Sequence, residues 1–387
     1  MEKVQRFYFD HNATTPVAPE VLETLVSCLG QVYGNASSIH FFGQAAKQRA
    51  EAARRQVAAL LHANPANVVF TGGGTEANNL AILGAVRAAP AASRHVVTTA
   101  IEHTAVLSPC AQLEREGVAV TRVPVGANGV VSPDDIRRAL RPQTVLISVM
   151  HANNEIGTVQ PLAEIGRIAR EAELLFHVDG VQALGRIAVD VEALGADLYA
   201  ASGHKLYAPK GVGALYIRKG VKLAPVLFGG HHERDRRPGT ENVPGIAAFG
   251  AAAELAGRRL GEETERLGAL RDRLENSALN RIQGAGINGA RWARTPNTSN
   301  LYFDGIDGEA LVIALDLRGF AVSTGAACSS GALTPSHVLT ALGLGSDRAR
   351  SSLRFSLGRS NTAEQVDALV DALEVSVAHL RRISVHA

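Results

Sequence analysis

The chain of 387 residues contains little cysteine and carries almost no net charge. Its three cysteines are an odd number in a long chain, which argues against a disulfide framework and indicates a reducing compartment. A formal net charge of +2 gives no reason to expect nucleic acid or an anionic membrane as a partner. One of the longer apolar runs, residues 80–86, is far shorter than a membrane span, and residues 1–10 do not resemble a signal peptide. We therefore expect a cytoplasmic protein that binds neither nucleic acid nor membranes.

The composition that remains is ordinary for a globular enzyme, with 46% hydrophobic and 20% charged residues. The length exceeds one ordinary domain, so we expect a large domain and a smaller one. From residue 68 to residue 202, short apolar runs typical of strands alternate with helical patterns. This alternation predicts an α/β fold with a mostly parallel sheet that helices cover on both faces. The pattern changes near residue 260, where a charged amphipathic helix at about residues 261–278 leads into a second α/β region.

Lys205 lies in the segment Ser202–Gly211, shortly after an apolar run that is typical of a strand. Most lysines are solvated surface charges, and that interpretation stays open for this residue taken alone. The serine, histidine and glycine beside it nevertheless provide short hydrogen-bonding groups and allow close backbone approach. A lysine held in a cleft can have a lowered pKa and form a Schiff base with a carbonyl. We therefore hypothesise that Lys205 binds pyridoxal phosphate (PLP).

A PLP site also needs a phosphate cradle and an acidic partner for the pyridine nitrogen. Residues Gly72–Thr75 form a glycine-rich turn between a predicted strand and a predicted helix, which suits an anion. A purely structural turn explains this pattern equally well. Asp179 ends a short apolar strand about one βαβ unit before Lys205, and a helix N-cap or a surface carboxylate is the alternative interpretation. Because the carboxyl ends of parallel strands share one edge of a sheet, we expect these elements to meet there.

Segments spread over nearly the whole chain resemble those of the NifS/IscS-type cysteine desulfurases, which are fold-type I PLP enzymes of the class V aminotransferase group. These segments are Tyr8–Pro16, Gly74–Asn79, Glu102–His103, His151–Gly157, Asp179–Gln182, Ser202–Lys205 and Arg237–Asn242. The resemblance implies a large PLP-binding domain at residues 15–260, with a mostly parallel sheet of the seven-stranded type covered by helices. It also implies a smaller C-terminal α/β domain, formed by residues 1–14 and 261–387, that carries a catalytic cysteine loop.

The resemblance further implies a role for each residue around the ring of the cofactor. Lys205 forms the Schiff base and acts in catalysis, and Asp179 pairs with the pyridine nitrogen. His103 stacks on the ring and takes part in acid–base steps. Gln182 and Asn154 reach the oxygen side of the ring, and Asn154 also lies near the substrate carboxylate.

The resemblance places the phosphate of PLP between two subunits. Its implied ligands within one chain are Gly74, Thr75, Ser202 and His204. Thr240 of the partner subunit joins them in the family, which implies an obligate homodimer. Two neighbours of Thr240 depart from the family pattern, because Asp235 stands where glycine is common and Pro238 where a small residue is usual. Both departures lie beside the implied intersubunit contact of Thr240.

The third cysteine, Cys328, lies in the segment Val322–Ala332, which consists almost entirely of Ser, Thr, Gly and Ala. A buried, inert residue is the default interpretation of a lone cysteine. Small polar residues cannot build a core but can form a mobile loop, from which a thiol reaches into a cleft. The segment resembles the active-site loop of the NifS/IscS group rather than the shorter loop of the SufS-like group, so we expect Cys328 to be catalytic. Cys28 and Cys110 lie in apolar helical contexts and are expected to be structural.

Arg354 lies in an alternating strand pattern, Ser352–Ser356. A surface arginine is the simple interpretation of such a residue. The planar guanidinium group of arginine, however, matches the geometry of a carboxylate. The family match favours Arg354 over Arg350 and Arg359 as the residue that binds the α-carboxylate of the substrate.

The implied reaction removes sulfur from L-cysteine and yields L-alanine together with a persulfide on Cys328. Sulfur acceptor proteins, such as iron–sulfur cluster scaffolds, are the implied partners, whereas no metal is expected. An aminotransferase, a selenocysteine lyase and a non-catalytic regulator that kept the fold are the alternatives. An aminotransferase needs no loop cysteine, and a degenerate copy has no reason to retain Lys205, Asp179, His103, Cys328 and Arg354. The sequence does not indicate which acceptor or pathway receives the sulfur.

Overall fold

The computed structural model describes residues 5–90, 94–325 and 335–384, and its elements follow the predicted alternation. The strands are β1 Phe7–Tyr8, β2 Val68–Thr71, β3 His95–Thr99, β4 Ala119–Val123, β5 Thr144–Met150, β6 Leu175–Asp179, β7 Leu198–Ser202, β8 Gly213–Ile217, β9 Ala285–Ile287, β10 Thr298–Phe303, β11 Phe320–Ala321 and β12 Ser352–Ser356. The helices are α1 Pro19–Gln31, α2 Phe41–Leu60, α3 Gly74–Ala88, α4 Thr104–Arg115, α5 Pro133–Ala139, α6 Leu162–Glu171, α7 Val243–Arg281, α8 Gly308–Asp316, α9 His337–Ala341, α10 Ser346–Arg350 and α11 Ala363–Ser384. Short 3-10 turns lie at Pro65–Asn67, Gly203–Lys205 and Glu233–Asp235.

Seven strands of the described chain form the main sheet, in the order β2-β8-β7-β6-β5-β3-β4. Neighbouring strands are parallel except at β8, which runs antiparallel to both β2 and β7. All the other strands therefore end at the same edge of the sheet. The predicted α/β fold with a mostly parallel, seven-stranded sheet is confirmed.

Helices bury both faces of the main sheet, as a largely parallel sheet requires. Successive strand residues point to opposite faces, so Val97 and Ile147 enter one apolar cluster and their neighbours Val96 and Leu146 another. The first cluster includes side chains of α1, α2, α6 and the first half of α7. The second cluster includes the apolar side chains of α3 and α4. This two-sided burial explains why the strands consist mainly of apolar residues instead of alternating with polar ones.

A second sheet in the described chain, β12-β10-β9, is antiparallel, and β1 pairs in parallel with β11 beside it. A separate apolar cluster, with members from Phe9 to Val377, joins these strands to α8, α11 and the second half of α7. Ala256 belongs to the cluster of the main sheet, whereas Leu267 belongs to this separate cluster. The division into domains at residues 15–260 and at residues 1–14 with 261–387 stays a prediction.

Helix α7 differs from the sequence prediction, which begins a helix at about residue 261. The structure has one continuous helix of 39 residues, whose N-terminus is capped by the Asn242 side chain accepting the Gly245 N–H at 3.1 Å. Gly257 and Gly261 suggest a break, but a glycine within a helix costs only about 1 kcal/mol. Packing against apolar clusters at both ends of α7 outweighs this cost.

None of the helices in the described ranges is long and apolar enough to cross a membrane.

Candidate active site

The carboxyl edge of the main sheet borders a cavity of about 280 Å³. The loops after β2, β3, β5, β6 and β7 line it together with the segment after β1, Gly325 and a side chain of β12. Of the predicted site residues, those that line this cavity are Gly74, Thr75, His103, Asn154, Asp179, Gln182, Ser202, His204, Lys205 and Arg354. The fold thus brings together residues that are as much as 280 positions apart in sequence, as from Gly74 to Arg354. Their individual roles stay predictions.

The glycine-rich turn after β2 lies directly against the end of β7. A Cβ atom on Gly74 would lie 2.7 Å from Val181 Cγ2 and 3.3 Å from Ser202 Cβ, so only glycine fits. Gly73 has a φ of +153° and acts as the N-cap of α3 without offering a side chain to the first N–H groups of that helix. These N–H groups and the exposed Thr75 hydroxyl suit an anion.

Asp179 is the last residue of β6 and is only 5% exposed. Its Oδ2 accepts a hydrogen bond of 2.8 Å from Asn78 Nδ2, and its Oδ1 accepts one of 3.1 Å from the Val181 N–H. Burial raises the pKa of this carboxyl, while the electrostatic interaction with His103, these hydrogen bonds and the charge of Lys205 lower it. Because Asp179 is buried and precedes a turn, it is neither a surface carboxylate nor a helix N-cap.

His103 precedes α4 and acts as its N-cap. Its Nδ1 accepts a hydrogen bond of 3.1 Å from the Ala105 N–H. Burial is the main cause that lowers the pKa of His103; the charges of Lys205 and His337 lower it further, and Asp179 opposes them. The imidazole is therefore neutral near pH 7 and has its proton on Nε2.

Lys205 is half-buried at the end of the short turn that follows β7. Its ammonium group donates hydrogen bonds to the carbonyl oxygens of Asn12 at 2.5 Å and Ala13 at 2.7 Å. Two backbone carbonyls from the N-terminal segment thus hold the lysine at the wall of the cavity. This arrangement differs from that of a solvated surface lysine.

Arg354 reaches the cavity from the centre of β12 and is only 2% exposed, which excludes a surface arginine. Its Nη2 donates to Asp10 Oδ1 at 2.6 Å, and its Nη1 donates to the Asn154 carbonyl oxygen at 3.1 Å. These partners fix the plane of the guanidinium group. The Asn154 side chain lines the same cavity.

A second cavity, of about 700 Å³, adjoins the first and shares Gly74, Thr75, Ser202 and His204 with it. Its other lining residues include Lys210, Arg236 and Arg237, together with Glu76, which pairs with Arg237 at 2.9 Å; the excess of positive charge favours an anion. Burial first, and then the charges of Lys205, Lys210 and Arg186, lower the pKa of His204 to about 4. Thr240 is exposed and lines neither cavity of its own chain.

Comparison with known proteins identifies the family. The model of the class-V aminotransferases matches residues 7–369. The chain belongs to the class-V aminotransferase family. It is 47% identical to a cysteine desulfurase IscS of Dictyoglomus turgidum, over 97% of this chain and 96% of the relative. The predicted membership of the NifS/IscS-type group is thereby confirmed.

Solved structures of the family agree with this assignment. A NifS-like protein has a TM-score of 0.92 to this chain at 37% identity, covering 97% of this chain and 100% of that one. SspA, solved in complex with cysteine, has a TM-score of 0.81 at 35% identity, covering 90% of this chain and 98% of that one.

Two of the three cysteines lie in the described part of this family member, and both are buried. Cys28 on α1 and Cys110 on α4 are 2% and 0% exposed, as expected for structural residues. Burial raises the pKa of both thiols, that of Cys110 to about 12, so neither is a thiolate near pH 7. Cys328 lies outside the described residues.

Two asparagines at the site were not identified from the sequence. Asn12 is 2% exposed, and its carbonyl oxygen accepts hydrogen bonds from Lys205 and from Gln182 Nε2. Asn78 is 1% exposed and holds Asp179. The sequence could have identified Asn78, because it follows Gly74 by four residues and therefore lies on the same face of the helix as that site residue.

Proposed function

We propose that this class-V aminotransferase family member is a PLP-dependent cysteine desulfurase. It removes sulfur from L-cysteine, releases L-alanine and holds the sulfur as a persulfide on Cys328. The observation that supports this function best is that one cavity joins Lys205, Asp179, His103 and Arg354 in a chain 47% identical to a cysteine desulfurase.

The residues of the cavity fit PLP in charge. Gly74 allows the N-terminus of α3, which suits a phosphate, to pack directly against Val181 and Ser202. Asp179 offers a buried carboxyl group, whose pKa is raised by burial and whose ionised form a cationic partner such as a protonated pyridine would stabilise. When bound, PLP supplies an electron sink for chemistry at the Cα atom of an amino acid.

Lys205 acts first as the attachment point of the cofactor and then as a base. Its Nζ takes the proton from the Cα atom of the substrate, a step that requires the amine and the substrate to share a cleft. The carbonyls of Asn12 and Ala13 orient the Nζ atom for both tasks. His103, which is neutral and protonated on Nε2, lies in the same cavity as a donor for a second proton transfer.

Arg354 binds the α-carboxylate of L-cysteine, and Asn154 lies beside it. The guanidinium group enters the complex already oriented, since Asp10 and the Asn154 carbonyl hold it. An oriented fork of N–H donors loses less conformational freedom on binding a carboxylate than a free side chain does. Gln182 borders the same cavity and is 6% exposed.

Cys328 performs the sulfur transfer. Its thiolate attacks the substrate Sγ, so that an S–S bond forms while the Cβ–Sγ bond breaks. The electron pair of the broken bond stays with the three-carbon fragment, which takes up a proton and leaves as alanine. Cysteine and alanine differ by one sulfur atom, so the transfer balances without an external oxidant or reductant.

Two features of the described chain support the assignment of Cys328. Cys28 and Cys110 are buried with raised pKa values and cannot supply a thiolate. Only three positions separate Cys328 from Gly325, which lines the cavity.

The proposal includes a homodimer, in which Thr240 of the partner subunit completes the phosphate site. The second cavity opens beside this site, and near it Leu227 and Phe228 are 47% and 84% exposed. Large exposed apolar side chains in one place mark interaction surfaces. We further propose a cytoplasmic location and protein acceptors for the persulfide sulfur, for which iron–sulfur cluster scaffolds are candidates.

The proposal is tested on the purified protein with two variants. The wild type should be yellow and should convert L-cysteine to alanine and sulfide in the presence of a thiol reductant. Cys328→Ala should keep the PLP absorption band and lose sulfide release, whereas Lys205→Ala should lose the band of the lysine-bound cofactor. Cys28→Ala is the matched control and should retain activity.

Full sulfide release by Cys328→Ala would contradict the assignment of Cys328, and a wild-type band in Lys205→Ala would show that another lysine is used. A strong preference for selenocysteine over cysteine in the same assay would indicate a selenocysteine lyase instead.

A further inference from the structure

Asp179 is the end of a chain of buried hydrogen bonds that runs across the main sheet. Ser148 on β5 and His177 on β6 are direct partners in the parallel register of the two strands. Ser148 Oγ lies 2.8 Å from His177 Nδ1, and His177 Nε2 lies 3.1 Å from Asn78 Oδ1. The chain is completed by the 2.8 Å bond from Asn78 Nδ2 to Asp179 Oδ2. Ser148 and His177 are 0% exposed, and Asn78 is 1% exposed.

In each hydrogen bond of this series, the donor points towards Asp179. Asn78 donates its amide N–H to the carboxylate, which leaves its Oδ1 facing His177. Burial lowers the pKa of His177 to about 3, so the ring is neutral and has a single N–H. That N–H must be on Nε2 to satisfy the amide oxygen, and His177 Nδ1 then accepts from the Ser148 hydroxyl. The reverse amide orientation would place Asn78 Oδ1 against a carboxylate oxygen.

Folding stability alone does not explain this buried series of hydrogen-bonded side chains. Buried polar groups are tolerated when hydrogen-bonded, but apolar residues fill the same space without this requirement. The next residues along the two strands, Val149 and Val178, are apolar. Three consecutive polar side chains that end on one functional carboxylate therefore point to a role at that carboxylate.

We propose that Ser148, His177 and Asn78 form a positioning relay that holds Asp179 as an oriented hydrogen-bond acceptor for the pyridine nitrogen of PLP. The relay donates into Oδ2 of Asp179, while the Val181 N–H donates into Oδ1. Two donors fix the rotation of the carboxylate and favour its ionised form. The inference rests on the proposed PLP-dependent function and names residues that act through Asp179.

A second buried histidine of the protein, His95, is a matched control for His177. His95, the first residue of β3, is also buried, at 1% exposed, and its ring lies between two hydroxyls. Thr144 Oγ1 lies 2.8 Å from its Nδ1, and Thr121 Oγ1 lies 2.9 Å from its Nε2. Burial also lowers the pKa of His95, to about 4. His95 is at the amino end of its strand and does not line the candidate active site.

The test compares PLP affinity of the apoprotein for His177→Gln, Asn78→Ala and His95→Gln. We expect His177→Gln to weaken PLP binding by about fivefold to tenfold, the effect of one hydrogen bond, and Asn78→Ala by at least as much. His95→Gln should lower thermal stability to a similar extent as His177→Gln without changing PLP affinity. The double variant Asn78→Ala/His177→Gln should bind PLP no more weakly than Asn78→Ala alone.

Wild-type PLP affinity in both His177→Gln and Asn78→Ala would overturn the relay, as would fully additive losses in the double variant. Equal losses of PLP affinity in His177→Gln and His95→Gln would also overturn the relay, since they would show that lower protein stability alone weakens PLP binding. If His177→Gln fails to fold, Ser148→Ala replaces it, with an expected weakening of about twofold to fivefold. Failure of the wild type to bind PLP at all would instead refute the proposed function, and the relay with it.

Discussion

At the scale of single residues, Arg354 shows how burial prepares a charged side chain for substrate binding. The guanidinium group is almost inaccessible, and Asp10 and the Asn154 carbonyl occupy part of its donor set. A buried charge needs partners, and here the partners also set the direction of the remaining donors. The charge of Arg354 is therefore paired, while the guanidinium group still borders the cavity.

Replacing Arg354 by lysine should weaken substrate binding while leaving PLP binding unchanged. Lysine is a point charge without the planar fork that matches a carboxylate. The expected result is a rise in KM for L-cysteine of roughly tenfold to a hundredfold, as for a lost hydrogen bond to a charged group. The exposed Arg350 offers the control Arg350→Lys, for which no change is expected. Unchanged KM in Arg354→Lys would refute the carboxylate contact.

The residues that sequence patterns could identify are those whose type is set by local chemistry. Lys205, Asp179 and Gly74 each follow a strand-like run, and strand ends meet at one edge of a parallel sheet. His177 and Asn78 could not be identified in this way, since their function depends on a partner that only the packing of α3 against β6 supplies. A histidine within an apolar strand and an asparagine within a helix are individually compatible with many structural roles.

At the scale of elements, the turn Glu233–Asp235 contains three consecutive residues with positive φ, at 45°, 58° and 63°. A buried ion pair holds it in place, because Arg54 donates to both Glu233 carboxylate oxygens at 2.8 Å. The Phe70 N–H donates to the same carboxylate at 2.9 Å and so joins the turn to β2. Glycine adopts this backbone conformation without strain, which agrees with the glycine that the family resemblance implies at the position of Asp235.

Two substitutions of Asp235 should therefore have different effects on stability. Asp235→Gly should change the free energy of unfolding by no more than about 1 kcal/mol, because relief of strain offsets the greater freedom of the unfolded chain. Asp235→Val should destabilise by about 1–2 kcal/mol, since a β-branched residue is strained at positive φ. Urea unfolding measures both values. Equal effects of the two substitutions would contradict the backbone argument.

Element boundaries were less predictable than element types. The sequence places a helix at about residues 261–278, but α7 extends over Val243–Arg281 because its two halves pack into different apolar clusters. Local propensity at Gly257 and Gly261 favours a break, and tertiary packing decides against it. Long-range packing of this kind leaves no local pattern in the sequence.

At the scale of the whole molecule, the second cavity and the exposed apolar side chains near it favour a homodimer. The wild type should be a dimer by size-exclusion chromatography with light scattering. Phe228→Glu should give a monomer with weakened PLP binding, because a charge would have to be buried in the interface. Leu317→Glu is the control, since Leu317 is also exposed, at 73%, but directly follows α8, in the second α/β region of the chain. A wild-type monomer, or a dimer in Phe228→Glu, would refute this interface.

The most direct test of the central claim follows the sulfur atom in a single turnover. The PLP-loaded protein is mixed with less than one equivalent of L-cysteine without reductant, and the products are analysed by peptide mass spectrometry and amino-acid analysis. The account predicts that the peptide with Cys328 gains the mass of one sulfur atom and that alanine forms in equal amount. Alanine without sulfur on Cys328, sulfur on Cys28 or Cys110, or a keto acid in place of alanine would contradict it.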